Sequence, residues 1–136
     1  MNIRYTDERC FTAQQLERLF LSVEWESGKF PEKLKKALDN CAIVFTAWDG
    51  DRLVGLANSL DDGELTAYVH YLLVDPEYQG KGIGTTLLEM MKKKYKDYFH
   101  FFLLAEHEEL VSYYERTGFE KEHGVSAMKY KEHNNE

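Results

Sequence analysis

Proline and cysteine are both scarce in this chain of 136 residues, with 2 of each. So little proline, beside 43% hydrophobic and 14% aromatic residues, excludes a collagen-like chain, a low-complexity linker and a disordered tail. Cys10 and Cys41 form no CxxC pair and fit no zinc-ligand spacing, so no metal is expected. No apolar run approaches the roughly 20 residues that cross a bilayer. The opening Met1–Glu8 lacks the apolar core of a signal peptide. A reducing cytoplasm, with two mostly structural thiols, is therefore the expected setting.

Positive charge is also in deficit. Lys plus Arg number 17 against 24 for Asp plus Glu, a net charge of −7. A surface of that sign repels phosphate backbones and anionic lipid heads, so neither a nucleic acid nor a membrane is an expected partner. The one basic run, Lys92-Lys93-Lys94-Tyr95-Lys96, reads as the solvated end of a helix, where cations suit the macrodipole. At about 100–200 residues per domain, residues 1–136 make one domain.

Phe11 to Gln15 reads as a helix start, with Thr12 and Gln15 placed as a capping box and Leu16, Leu19, Phe20 and Val23 as its apolar stripe. Gly28 interrupts. Pro31 opens a second helix that should bury Leu34, Ala37 and Leu38. From residue 42 the texture turns β-branched and aromatic. Strands are predicted at 42–48, 53–59 and 65–74, joined by turns at Asp49-Gly50-Asp51 and Asp61-Asp62-Gly63 into an antiparallel meander. A helix over 82–95 should turn Ile83, Leu87, Leu88 and Met91 inward. Phe99 to Ala105 reads as a strand covered on both faces, parallel to 65–74 through a β-α-β unit. A helix over 108–117 closes on Gly118, and 125–131 is a candidate final strand. The fold class is α/β with a mixed sheet.

The informative segment is Leu72 to Thr85, where a strand runs through Gly80, Gly82 and Gly84 into a helix. Glycines let the backbone approach a bulky anion, and unpaired N–H groups at a helix start form a phosphate site. Lys81 and Thr85 can add donors. The spacing is neither a nucleotide P-loop nor a dinucleotide fingerprint, and three strands before it look antiparallel.

Gln79-Gly80-Lys81-Gly82-Ile83-Gly84 resembles the pyrophosphate loop of the GCN5-related N-acetyltransferase (GNAT) family: Gln or Arg, two residues, Gly, one residue, then Gly or Ala. Leu72 to Tyr78 resembles that family's fourth strand and its exit. Tyr113 to Phe119 resembles the second motif, an aromatic, Tyr, three residues, Gly and Phe. Trp25, the helix near Leu34–Leu38, Asp49-Gly50-Asp51, Tyr114 and the stretch at 124–128 are more weakly similar to small serotonin-type, arylalkylamine N-acetyltransferases.

The resemblance implies a GNAT-like sheet, an antiparallel N-terminal meander followed by a splayed parallel pair, with helices on both faces. It implies acetyl-CoA as co-substrate, an amine as acceptor, direct attack in a ternary complex and no metal. The pyrophosphate would lie on Gln79, Gly80, Lys81, Gly82, Ile83, Gly84 and Thr85, and the pantetheine arm along the backbone of Leu72, Leu73 and Val74. Tyr114 matches the family's general acid. His70 matches a strand histidine of the arylalkylamine branch and suits a base, because imidazole titrates near neutrality. Period-two alternation puts Tyr68, His70, Leu72 and Val74 on one face, with Tyr68 where other members carry a glutamate or histidine. His107 stands where members often have an asparagine. Glu24, Trp25 and Tyr68 are the candidate acceptor contacts. A homodimer is compatible with the sequence. A lysine or N-terminal protein acetyltransferase and a non-catalytic acyl-CoA-binding domain stay open.

Overall fold

The structure, a computed structural model, describes residues 2–131. Strands β1 (Arg4–Thr6), β2 (Ile43–Asp49), β3 (Arg52–Asp61), β4 (Thr66–Val74) and β5 (His100–Leu103) form one five-stranded sheet in chain order. The first four run antiparallel to their neighbours, and β5 joins β4 in parallel. The α/β mixed sheet expected from the sequence is present. The β3–β4 turn is held by Asp62, whose carboxylate accepts the N–H groups of Thr66, Glu64 and Leu65, and these bonds hold its pKa down to about 2.

Helices α1 (Ala13–Ser22) and α2 (Pro31–Asn40) cover one face of the sheet, and α3 (Ile83–Lys94) covers the other. Thr12 and Gln15 make the reciprocal capping box of α1. Leu16, Leu19 and Phe20 then pack with Leu34 and Leu38 of α2 against Trp48, Leu53, Leu56 and Leu73. Each such fully buried side chain contributes about 1.5–3 kcal/mol. On the far face, Ile83, Leu87 and Met91 meet Ala47, Val54, Ala57 and Val69. A Cβ at Gly55 would lie 3.0 Å from Ile83 Cγ2, so this mid-strand glycine lets α3 sit close on the sheet. Helix α4 (Glu108–Arg116) follows β5.

Several details depart from the sequence reading. Strand β1 is an added edge, three residues long, too short to stand out by pattern. Ala37 is exposed, because Leu34 and Leu38 alone fill the inward face of α2. Strand β5 is covered on one face only. Phe101 and Leu103 join the core, while Phe99, Phe102 and Leu104 are 78%, 46% and 56% exposed. Among the described residues no strand forms at 125–131, where every residue is exposed and no ladder to β5 is made. A strand needs a partner for its backbone groups, and alternation alone does not supply one. Among the described residues no helix is long and apolar enough to cross a membrane.

Candidate active site

A register break in β4 shapes the site. Ala57 pairs with Leu72 and Ser59 with Val69, so Asn58 alone stands opposite both His70 and Tyr71. Buried Asn58 resolves the mismatch by accepting the Tyr71 N–H on Oδ1 at 2.9 Å. The extra residue moves the side-chain alternation by one. Ala67 and Val69 point toward α3 before it, and Leu72 and Val74 do so after it. Tyr71 and Leu73 pack on the α1 side. The expected face shared by Tyr68, His70, Leu72 and Val74 is therefore corrected. Tyr68 and His70 lie on the face of Tyr71 and Leu73.

The β4–β5 ladder runs from Thr66 to Val69 and stops. Beyond it, Tyr71 N–H bonds Asn58 and Asp75 N–H bonds Val54 O at 2.9 Å, so residues 71, 73 and 75 turn their amides to β3. Leu72 and Val74 turn theirs to the open side. Gln79 Nε2 donates to Val74 O at 2.9 Å. Among the described residues, a strand edge with no neighbouring strand thus lies beside the glycine loop.

Asp75 fixes where the loop begins. It is 2% exposed and accepts Glu77 N–H, Arg18 at 3.0 Å and Arg52 at 3.1 Å. Burial alone would raise its pKa, but the Glu77 N–H and the two guanidinium groups outweigh it and hold the carboxyl below the usual range. A 3-10 turn at Pro76–Tyr78 follows. Gly80 and Gly82 then take φ of 78° and 86°, the left-handed region that side chains disfavour. Gly82 is the N-cap of α3, whose first-turn bond is Thr86 N–H to Gly82 O at 3.0 Å. The N–H groups of 83–85 have no helical acceptor and stand at the positive end of the dipole. Such a helix start can receive an anion.

Across from the loop, α4 presents two tyrosines. Tyr113 and Thr85 share a hydrogen bond between hydroxyls at 2.9 Å. Tyr114 is 9% exposed, and burial, with a smaller push from Tyr113, moves its phenol up to about 12. Loop, open strand edge and α4 enclose a cleft of about 520 Å³. His70 stacks on Tyr71 with ring centroids 4.1 Å apart, and desolvation lowers its pKa, so the imidazole is neutral at pH 7.

The acetyltransferase (GNAT) domain family profile matches residues 6–131. The chain belongs to the GNAT acetyltransferase family. It is 32% identical over 97 residues to an uncharacterized N-acetyltransferase ycf52-like protein of Prochlorococcus marinus, covering 68% of this chain and 53% of that one. This GNAT chain therefore spans about half the length of that curated relative. A GNAT family acetyltransferase from Streptococcus pneumoniae TIGR4 superposes with a TM-score of 0.82 at 28% identity, covering 95% of this chain and 97% of that one. An aminoglycoside acetyltransferase from an uncultured soil metagenomic sample matches with a TM-score of 0.71 at 27% identity, covering 95% and 94%. Nothing in these similarities marks out the serotonin or arylalkylamine branch.

Within the GNAT cleft, His70, Leu72, Leu73, Val74, Gln79, Gly80, Gly82, Ile83, Gly84, Thr85 and Tyr114 all line one cavity, and Trp25 reaches it from the loop after α1. Lys81, Glu24 and Tyr68 lie outside that lining. Glu24 is an exposed residue at φ 60°, and Tyr68 stands behind His70 at 5.8 Å between rings. Sequence reasoning missed Glu106, Leu110 and the loop contact of Tyr113, and gave His107 no certain place; all four line the cleft. Glu106 and His107 follow β5, and the carboxyl ends of parallel strands are where ligand contacts gather, a signal available from the β-α-β reading.

Proposed function

We propose that residues 1–136 act as one cytoplasmic N-acetyltransferase domain that moves the acetyl group of acetyl-CoA to a small primary amine by direct attack. The observation that carries this is the pairing of an anion-binding helix start at Gly82 with the open edge at Leu72 and Val74. The first suits a pyrophosphate, and the second suits an amide-bearing arm laid along it as an extra strand. Free Cys10 and Cys41 suit a reducing compartment.

In this reading the amine lone pair attacks the thioester carbonyl carbon. The carbonyl oxygen gains negative charge, which the outward N–H of Leu72 or Val74 stabilises. The C–S bond then breaks and the sulfur leaves as thiolate. Tyr114, protonated at every working pH, donates to that sulfur. Neutral His70 takes the proton that the amine must lose. No enzyme nucleophile is required.

Titrating the purified chain with acetyl-CoA tests the reading. At 100 times the dissociation constant, stability should rise by about 2.7 kcal/mol, read as a higher Tm. CoA thiol should appear when an amine is added. Absence of any shift at millimolar acetyl-CoA would overturn the proposal. Binding without thiol release would leave an acyl-CoA-binding domain, against which the placement of Tyr114 in the cleft argues.

A further inference from the structure

The Asp49-Gly50-Asp51 turn lies outside the lining of the cleft, yet its ends reach the glycine loop. Asp49 pairs with Arg52 across the tip of the β2–β3 hairpin, so the two side chains leave one face. We infer that Asp49 is a positioning residue for acetyl-CoA: with Arg52 it clamps Tyr78, and Tyr78 sets the direction of the loop that begins at Gln79. The inference rests on the reading in which that loop takes the pyrophosphate, and it names what aims the loop.

The loop cannot aim itself. Gly80, Gly82 and Gly84 fall within five residues, and glycine loses more conformational freedom on ordering than any other residue. Among the described residues nothing lies within 4 Å of the Cβ position at Gly80 or Gly82, so no side chain holds the turn from that side. Its direction is therefore set by its flanks. At the far flank Tyr113 holds Thr85. At the near flank stands Tyr78, the last residue of the 3-10 turn, followed by Gln79 with its amide bonded back to Val74 O.

The hairpin end meets that near flank at residue after residue. The Tyr78 hydroxyl donates to Asp49 Oδ2. The Arg52 guanidinium lies 5.2 Å from the centroid of the Tyr78 ring, which also packs on the far-face core and lines the cleft. The same guanidinium pairs with Asp75 at 3.1 Å and Glu77 at 3.5 Å. Val54, which the pairing with β2 skips, accepts the Asp75 N–H at 2.9 Å. Residues 75, 77 and 78 are thus all tied to the hairpin end. Charge alone would not favour a carboxylate here, since like charge near a pyrophosphate opposes it. What Asp49 supplies is a fixed acceptor. Its bond to Tyr78 favours the protonated phenol and raises that pKa, so the donor persists at neutral pH.

The test is isothermal titration of the full chain with acetyl-CoA. Tyr78→Phe keeps the ring and loses the donor, and Asp49→Ala loses the acceptor. Each should raise the Kd for acetyl-CoA about fivefold to tenfold. The double variant should bind no more weakly than either single one, because both remove the same contact. Asp49→Asn keeps an oxygen acceptor without the charge and should restore most of the affinity. Asp51→Ala removes a charge from the same tip and should bind like the parent. A merely structural role would lower the Tm without ligand and leave the Kd where it was. Parental affinity in Tyr78→Phe, losses that add in the double variant, or an equal loss in Asp51→Ala overturns the inference. Tighter binding in both Asp49→Ala and Asp49→Asn also overturns it, since Asp49 would then act only as a repelling charge. Should Asp49→Ala fail to fold, Tyr78→Phe carries the test by itself. A parent that binds no acetyl-CoA removes the loop reading and this inference together, whereas normal binding in the variants removes this inference alone.

Discussion

The Tyr113 hydroxyl lies 2.9 Å from the Thr85 hydroxyl, so two consecutive tyrosines of α4 serve different ends of one cleft. Tyr113 ties α4 to the first turn of α3, where we propose that the pyrophosphate binds. Tyr114 lines the cleft, and among the described residues its hydroxyl has no hydrogen-bond partner. Tyr114→Phe keeps the ring and should bind acetyl-CoA like the parent, while turnover falls by about 10²–10⁴. Tyr113→Phe should keep turnover at saturation and weaken acetyl-CoA binding by a few-fold, from a lost hydrogen bond of about 1 kcal/mol. Fluorescence titration and thiol release separate the two. A slow Tyr113→Phe beside a normal Tyr114→Phe would reverse the assignment.

Gly82 caps α3 at φ 86°, with nothing within 4 Å of the Cβ it lacks. Space is available, so conformation is the obstacle. Gly82→Ala should cost about 1–2 kcal/mol of stability or shift the loop to relieve the strain. Relief of the strain by a loop shift turns the N–H groups of 83–85 away from their common direction. The acetyl-CoA-induced Tm shift should fall sharply in Gly82→Ala and vanish in Gly82→Asp, which adds a charge that repels phosphate. Normal binding in both variants would place the phosphate elsewhere.

Local chemistry made much of this legible in advance. The Thr12–Gln15 cap, Pro31, the β2–β3 turn at Gly50 and the stripe Ile83, Leu87, Leu88, Met91 each carry their own signal, and each stands where it was expected. The glycine turn from β4 into α3 was legible for the same reason. What escaped depends on partners. The phase of Tyr68, His70 and Leu72 is reset by Asn58 across the ladder, and no pattern within β4 announces it. The exposed face of β5 and the absence of a strand among the described residues at 125–131 also turn on what lies beside them. Glu106 is one acid among 24 until the fold sets it in the cleft.

As the proposed base, His70 gives the site a pH signature. Desolvation holds its pKa below the ordinary value of about 6.5. The neutral base is therefore present above that lowered value, and kcat/KM should fall as pH drops through it. His70→Gln should lower the plateau and flatten this acid limb, measured as kcat/KM from pH 5 to 8. The phenol of Tyr114, pushed up to about 12, should contribute no alkaline limb in the range usually assayed. An acid limb that persists in His70→Gln would assign the base to another group.

Asp75 links stability to the loop. Its buried carboxylate pairs with Arg18 of α1 and Arg52 of β3, whose side chains are 42% and 38% exposed, and it fixes the turn that leads to Gln79. Its folded pKa lies below the model-compound value, so the unfolded chain binds its proton first as pH falls. The stabilisation is fully present above about pH 4 and is lost as pH falls through the lower folded value. Asp75→Asn should cost about 1.5–3 kcal/mol at pH 7, nearer the low end because water screens both arginines. The difference from the parent should shrink at pH 3 and below, read from urea denaturation midpoints at the two pH values. Equal losses at both would mean that packing, and not charge, is what Asp75 supplies. The KM for acetyl-CoA should rise in the same variant, since the strand exit that aims Gly80 and Gly82 loses its anchor.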